Sequence, residues 1–121
     1  MSPQSTQDKV RTRQTLSPVL TALQQGLGDN LVAVVLFGLR ARGDATEASD
    51  WDVLVIARQL SSSPLQRHFQ LKMFLPVEWR GQVSLLSRTT SEFESHLSSL
   101  MLDIALDGIV LYDRNTKKFI D

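Results

Sequence analysis

The run Leu31-Val-Ala-Val-Val-Leu-Phe37 has few places to rest in a folded chain. Seven consecutive apolar residues, rich in β-branched side chains, suit a strand buried on both faces and are far too short to span a membrane. Such a strand must be packed against other elements. A chain of 121 residues with 42% apolar content can supply one core of that kind and not two. Residues 1–121 are therefore expected to form a single domain, with 1–8 and 114–121 frayed.

The flanking segments fill in the architecture. From Val10 onward Leu16, Val19, Leu20, Leu23 and Leu27 follow helical spacing, and Gly28, Asp29 and Asn30 supply a stop. After a polar connection, Gly38 to Ser49, the β-rich run Trp51 to Ile56 predicts a second strand. Ser61-Ser-Ser-Pro64 ends in a cap and a proline suited to a first helical position, predicting a helix from Leu65 to about Leu75 that Pro76 closes. Gln82 to Leu86 reads as a third strand, and Ser91-Glu-Phe-Glu94 as the capping box of a further helix. That helix carries one apolar stripe, Phe93, Leu97, Leu100, Met101 and Ile104, with Gly108 at its end and a last strand from Ile109 to Tyr112. The order α-β-β-α-β-α-β predicts an α/β (α+β) domain with a sheet of about four strands and flanking helices. If the helices lie on one side only, the other face needs cover, and oligomerisation or a partner could provide it.

Charge and cysteine usage narrow the function. Thirteen basic and thirteen acidic residues cancel, so no global field draws the chain to nucleic acid or anionic lipid, and no basic stripe supports nucleic-acid binding. Without cysteine there is neither a disulfide framework nor a thiolate metal site. The polar start, Met1 to Gln7, lacks a signal-peptide pattern, so a cytoplasmic protein is expected.

Asp50 and Asp52 are two apart, so at the start of a strand their carboxylates leave the same face. Mutual repulsion is a penalty unless a divalent cation sits between them, and magnesium suits paired carboxylates completed by phosphate oxygens. The plainer reading is a capping Asp50 and a solvated Asp52. Just upstream, Gly38 permits close backbone approach to a phosphate, Arg40 and Arg42 add cations, and Gly43 allows a second turn, although a solvated charged loop explains the same residues.

Read together, residues 37–55, Phe-Gly-Leu-Arg-Ala-Arg-Gly-Asp-Ala-Thr-Glu-Ala-Ser-Asp-Trp-Asp-Val-Leu-Val, resemble the signature of the polymerase-β-like nucleotidyltransferase superfamily, above all its minimal nucleotidyltransferase (MNT) group. Gly38, Ala41, Arg42, Gly43, Ala45, Ser49, Asp50, Asp52 and Val55 match in register, and Asp107-Gly-Ile-Val-Leu-Tyr-Asp113 echoes the group's C-terminal strand. The resemblance implies a mixed sheet, Mg2+ (or Mn2+) held by Asp50 and Asp52 as metal ligands and catalytic residues, and ATP bound around Gly38, Leu39, Arg40, Arg42 and Gly43. It further implies transfer of a nucleotide, AMP first among the choices, to a hydroxyl of a protein or small molecule, and an all-helical HEPN-domain protein as toxin partner.

Two departures bear on activity. The family's phosphate-binding serine is Leu39, which removes a hydrogen bond worth roughly 1 to 3 kcal/mol. The family's third carboxylate, on the next strand, falls at Ser84, with Glu78, Glu92 and Glu94 as substitutes only if loop geometry brings one close. The alternative function is therefore a degenerate, inactive domain that binds a nucleotide or partner. His68 and His96 lack a second ligand at metal spacing and read as surface residues, Trp51 as packing beneath a helix, and Trp79 as part of a partner surface.

Overall fold

The structure, a computed structural model, describes residues 6–95, 101, 104 and 106–114. Two helices, α1 (Thr6–Thr15) and α2 (Ser17–Leu27), occupy the stretch whose spacing predicts one. The backbone bonds Leu16 to Thr12 and Leu20 to Leu16 carry across the junction, and Pro18, which has no N–H to continue the ladder, accounts for the break. Thr6 to Asp8, expected to fray, are helical. Arg114, also expected to fray, donates to the carbonyls of Leu31 (2.6 Å) and Gly28 (2.9 Å).

After a single 3-10 turn, the chain continues as β1 (Leu31–Phe37), α3 (Gly38–Arg42), β2 (Trp51–Ala57), α4 (Pro64–Phe74), α5 (Val77–Arg80), β3 (Val83–Thr89), α6 (Thr90–Ser95) and β4 (Ile109–Asp113). The strands form one mixed sheet in the order β3-β2-β1-β4; β1 is antiparallel to β2 and β4, whereas β2 and β3 run parallel. The expected α/β architecture is present, with α3 and α5 added: both are too short for periodicity to reveal. Ser63 caps α4 as expected, accepting from the Gln66 N–H at 3.3 Å.

Side chains pack on both faces of the sheet, so the condition under which one face would need outside cover is not met. Val53 and Val55 of β2 face one way, into a core with Leu16, Val19, Leu20 and Leu23 of the N-terminal segment and Leu75. Leu54 and Ile56 face the other way, onto the helical residues Met101 and Ile104 and half-buried Phe93. A register shift between Leu31 and Ala33 lets Val32 and Ala33 both pack in the second core while Leu31 stays in the first. His96, Leu97 and Leu100 lie outside the described residues.

The capping box is displaced from its expected place. Thr89, not Ser91, caps α6: its hydroxyl accepts from the Glu92 N–H at 3.1 Å, and Glu92 Oε1 accepts from the Thr89 N–H at 2.8 Å. T-x-x-E at 89–92 and S-x-x-E at 91–94 are indistinguishable by pattern, and β3 running on to Thr89 selects the first. Glu92 also pairs with Arg67 at 2.8 Å, tying α6 to α4. The Arg67 guanidinium, then the Thr89 N–H, hold the Glu92 carboxyl down at about 2. A depressed carboxylate stabilises the fold above its unfolded value near 4.5, and that contribution is lost as pH falls from there toward 2. Because Glu92 is largely solvated, Glu92→Ala is expected to cost only about 1 kcal/mol at pH 7. Thermal melts at pH 7 and pH 2.5 check this: the gap between wild type and variant should narrow at the lower pH.

Candidate functional site

The two aspartates lie where β1 ends and β2 and β3 begin. Asp50 is exposed in the residue before β2, and Asp52, half-buried, is its second residue. Asp52 is the cross-strand partner of Phe37, so Gly38 follows at once beside it. Gly38 has φ +74°, a conformation open to glycine, and a β-carbon there would lie 2.3 Å from Asp52 Oδ2. The glycine is thus required twice, by its own backbone and by the carboxylate against it. Gly43, at φ 81°, closes α3 by donating its N–H to the Leu39 carbonyl.

The electrostatics are those of a carboxylate pair only partly offset by neighbouring cations. Burial, then the charge of Asp50, raise the Asp52 carboxyl above the ordinary carboxylate value, and Arg42 partly opposes them. An acid raised in the folded state is stabilising while protonated, so that benefit disappears as pH climbs from the unfolded value of 3.8 through the raised one. At neutral pH charged Asp52 therefore costs stability. Asp52→Asn is expected to stabilise the metal-free protein at pH 7 by a few tenths to about 1 kcal/mol, a size discounted for its partial exposure. A melting temperature unchanged or lowered would mean that the carboxylate is already satisfied.

Register sets Ser84, expected at the third-carboxylate position, beside Asp52. Ser84 of β3 is the parallel-strand partner of Asp52, so the two side chains leave the same face of adjacent strands. Glu92 and Glu94 lie beyond the far end of β3, about 16 Å along the strand from Ser84 at 3.3 Å per residue. Of the three acids weighed as substitutes, Glu78 in α5 is the one on the Asp50 side of β3, exposed and before its first residue. No group of three His, Cys, Asp or Glu residues able to hold a metal occurs among the described residues.

The two arginines part company. Arg40 turns back on the loop, donating to the carbonyls of Ser49 (2.8 Å) and Glu47 (3.4 Å) with its guanidinium 4.2 Å from the Trp51 ring centre. It braces the segment that delivers Asp50. Arg42 is exposed, 3.9 Å from Asp44, and its charge reaches Asp52. The Leu39 side chain is a hydrocarbon with no hydrogen bond to give a phosphate, and at 45% exposure the residue stays out of the core. Trp51 packs in the first core as expected. Trp79, expected on a partner surface, is half-buried against it instead, the rings 6.4 Å apart in edge contact.

Lys72 of α4 is a neighbour that sequence reasoning missed. Its ammonium donates to the carbonyls of Arg80 (2.8 Å) and Val83, pinning the start of β3 one residue from Ser84. Burial lowers its pKa while Asp50 works against that. A lysine on an amphipathic helix twenty residues from the aspartates leaves no signal of this in the sequence.

Comparison with known proteins agrees with this fold. The family model described as polymerase beta, nucleotidyltransferase matches residues 21–117. A Methanocaldococcus jannaschii protein described as a candidate protein adenylyltransferase is 40% identical over 112 residues, spanning 89% of this chain and 76% of that protein. The crystal structure of a candidate nucleotidyltransferase from Sulfolobus solfataricus superposes with TM-score 0.66 at 21% identity, over 94% of this chain and 90% of that one. A Shewanella oneidensis structure, a tri-AMPylated HEPN toxin in complex with MNT antitoxin, gives TM-score 0.56 at 18% identity, over 89% and 75%.

Proposed function

The chain belongs to the polymerase β nucleotidyltransferase family, and from that premise we propose that it binds ATP with a divalent cation at Asp50 and Asp52 and transfers AMP to a hydroxyl of a protein. The observation that carries the reading is the Gly38 turn pressed against Asp52, beside a second carboxylate whose charge raises the Asp52 carboxyl. This donor set fits Mg2+ or Mn2+, which accept two carboxylates when phosphate oxygens complete the shell. The cation, when bound, offsets charge on the attacking and leaving oxygens.

The chain's own residues do the rest. Asp50 and Asp52 hold the cation, the Gly38 turn leaves room for phosphate, and exposed Arg42 adds positive charge for the triphosphate. Leu39 contributes no hydrogen bond, so nucleotide affinity is below what a serine would give. Ser84, beside Asp52, has no useful basicity at neutral pH, so the acceptor hydroxyl gets no carboxylate to take its proton. The acceptor chemistry that the Shewanella complex suggests is a helical HEPN-domain toxin modified with AMP, which would make this chain an antitoxin. The test is transfer of labelled AMP from ATP to HEPN-domain proteins with Mg2+ or Mn2+, with Asp50→Asn and Asp52→Asn as blanks. Label incorporation that survives both substitutions would sink the assignment.

Ser84 also favours a second reading, a domain that binds nucleotide or partner without transferring anything. Metal-dependent ATP binding with no transfer, even after a carboxylate is installed at 84, would establish it. No helix among the described residues is long and apolar enough to cross a membrane.

A further inference from the structure

Helix α4 turns an apolar ridge to solvent. Leu65, Phe69 and Met73, spaced i, i+4, i+8, are 64%, 58% and 63% exposed, and Val77 follows in α5 at 72%. Four of the seven exposed large apolar residues among those described fall in this one stretch. The other exposed residues from Pro64 to Met73 are Pro64, Gln66, His68 and Gln70, so the α4 part of the ridge carries no exposed carboxylate, ammonium or guanidinium; exposed Glu78 follows Val77 at the ridge's end. Both cations of α4 are engaged elsewhere: Arg67 pairs with Glu92, and Lys72 holds the carbonyls of Arg80 and Val83.

The geometry points to a second copy of this chain as the occupant of that ridge, in an isologous dimer with α4 packed antiparallel on α4. Two features select a copy over an unrelated partner. The uncharged α4 face meets itself without like-charge repulsion, and antiparallel packing sets the two Glu78 carboxylates at opposite ends of the contact, whereas a charged partner would find nothing complementary along α4. An i, i+4 ridge also interdigitates with its own two-fold image, the commonest arrangement of packed helices. The area suffices for a small interface: four large side chains at these exposures present about 400 Å2 per copy, within the range of the largest apolar patch on a typical monomer. With the flanking glutamines, the pair approaches the roughly 1,000 Å2 total that a specific association needs. The site is spared, because α4 packs against α2 and β3, while the side chains of Asp52 and Ser84 leave the sheet on the face of Leu54 and Leu86.

Sedimentation equilibrium of the full chain tests this. The wild type is expected at twice its 13.6 kDa mass at about 100 µM and to dissociate on dilution. Phe69→Glu and Met73→Glu, each placing like charges across the two-fold, should weaken the dimer at least about tenfold. Their melting curves at low micromolar concentration should match wild type, because neither side chain is in the core. A wild type that stays monomeric to about 200 µM would overturn the proposal and assign the ridge to another protein. A dimer that both glutamates leave intact would overturn it too, by placing the contact elsewhere.

Discussion

Gly38→Ala is expected to weaken metal-dependent nucleotide binding on the order of 10²-fold while leaving the fold standing. The new β-carbon would lie 2.3 Å from Asp52 Oδ2, yet only 3.2 and 3.4 Å from the Cγ and Cβ of the same side chain. The neighbour that must yield is thus a carboxylate that can rotate, and the backbone need not rebuild. Alanine at φ +74° adds strain of about 1 kcal/mol, so the melting temperature should fall by only a few degrees. Function pays far more, since a ligating oxygen moved by an ångström can cost on the order of 10²-fold. Calorimetric titration with Mn2+ and ATP, beside a melting curve, separates the two effects. Full affinity in a mildly destabilised variant would show that Asp52 does not hold the cation from this position.

Ser84→Asp should raise the rate of AMP transfer by about 10² to 10⁴, the usual worth of a positioned general base. Ser84 is the register partner of Asp52, so a carboxylate there would leave the same face of the neighbouring strand, beside the pair that holds the cation. Ser84 is exposed, so the substitution should cost the fold little apart from repulsion with two existing acids, which a bound cation relieves. Single-turnover transfer from labelled ATP is the measurement, because it reads chemistry apart from product release. Brisk wild-type transfer that the variant does not improve would hand the base role to another group, Glu78 first, as the one candidate acid on that side of β3.

Much of this was legible without coordinates. The run from Leu31 to Phe37 became β1 with the same bounds, and Ser63-Pro64 started α4 where capping chemistry requires, because both signals are local and survive any tertiary arrangement. The spacing of Asp50 and Asp52 and the glycine at 38 pointed to one site for the same reason. What adjacent residues cannot encode came from packing. The parallel alignment of β2 and β3 decides that Ser84, and neither Glu92 nor Glu94, neighbours Asp52, since strand register is set by long-range burial of Val53, Leu54, Val83 and Leu86. It also decides which of two equivalent capping boxes forms, by running β3 on to Thr89. Arg40 and Arg42, alike in sequence, divide their work because the face of Trp51 and the carbonyls of Ser49 and Glu47 claim the first guanidinium. Lys72 comes within electrostatic reach of Asp50 only when α4 folds onto β3: charges far apart in sequence interact by distance in space, which residue order does not record.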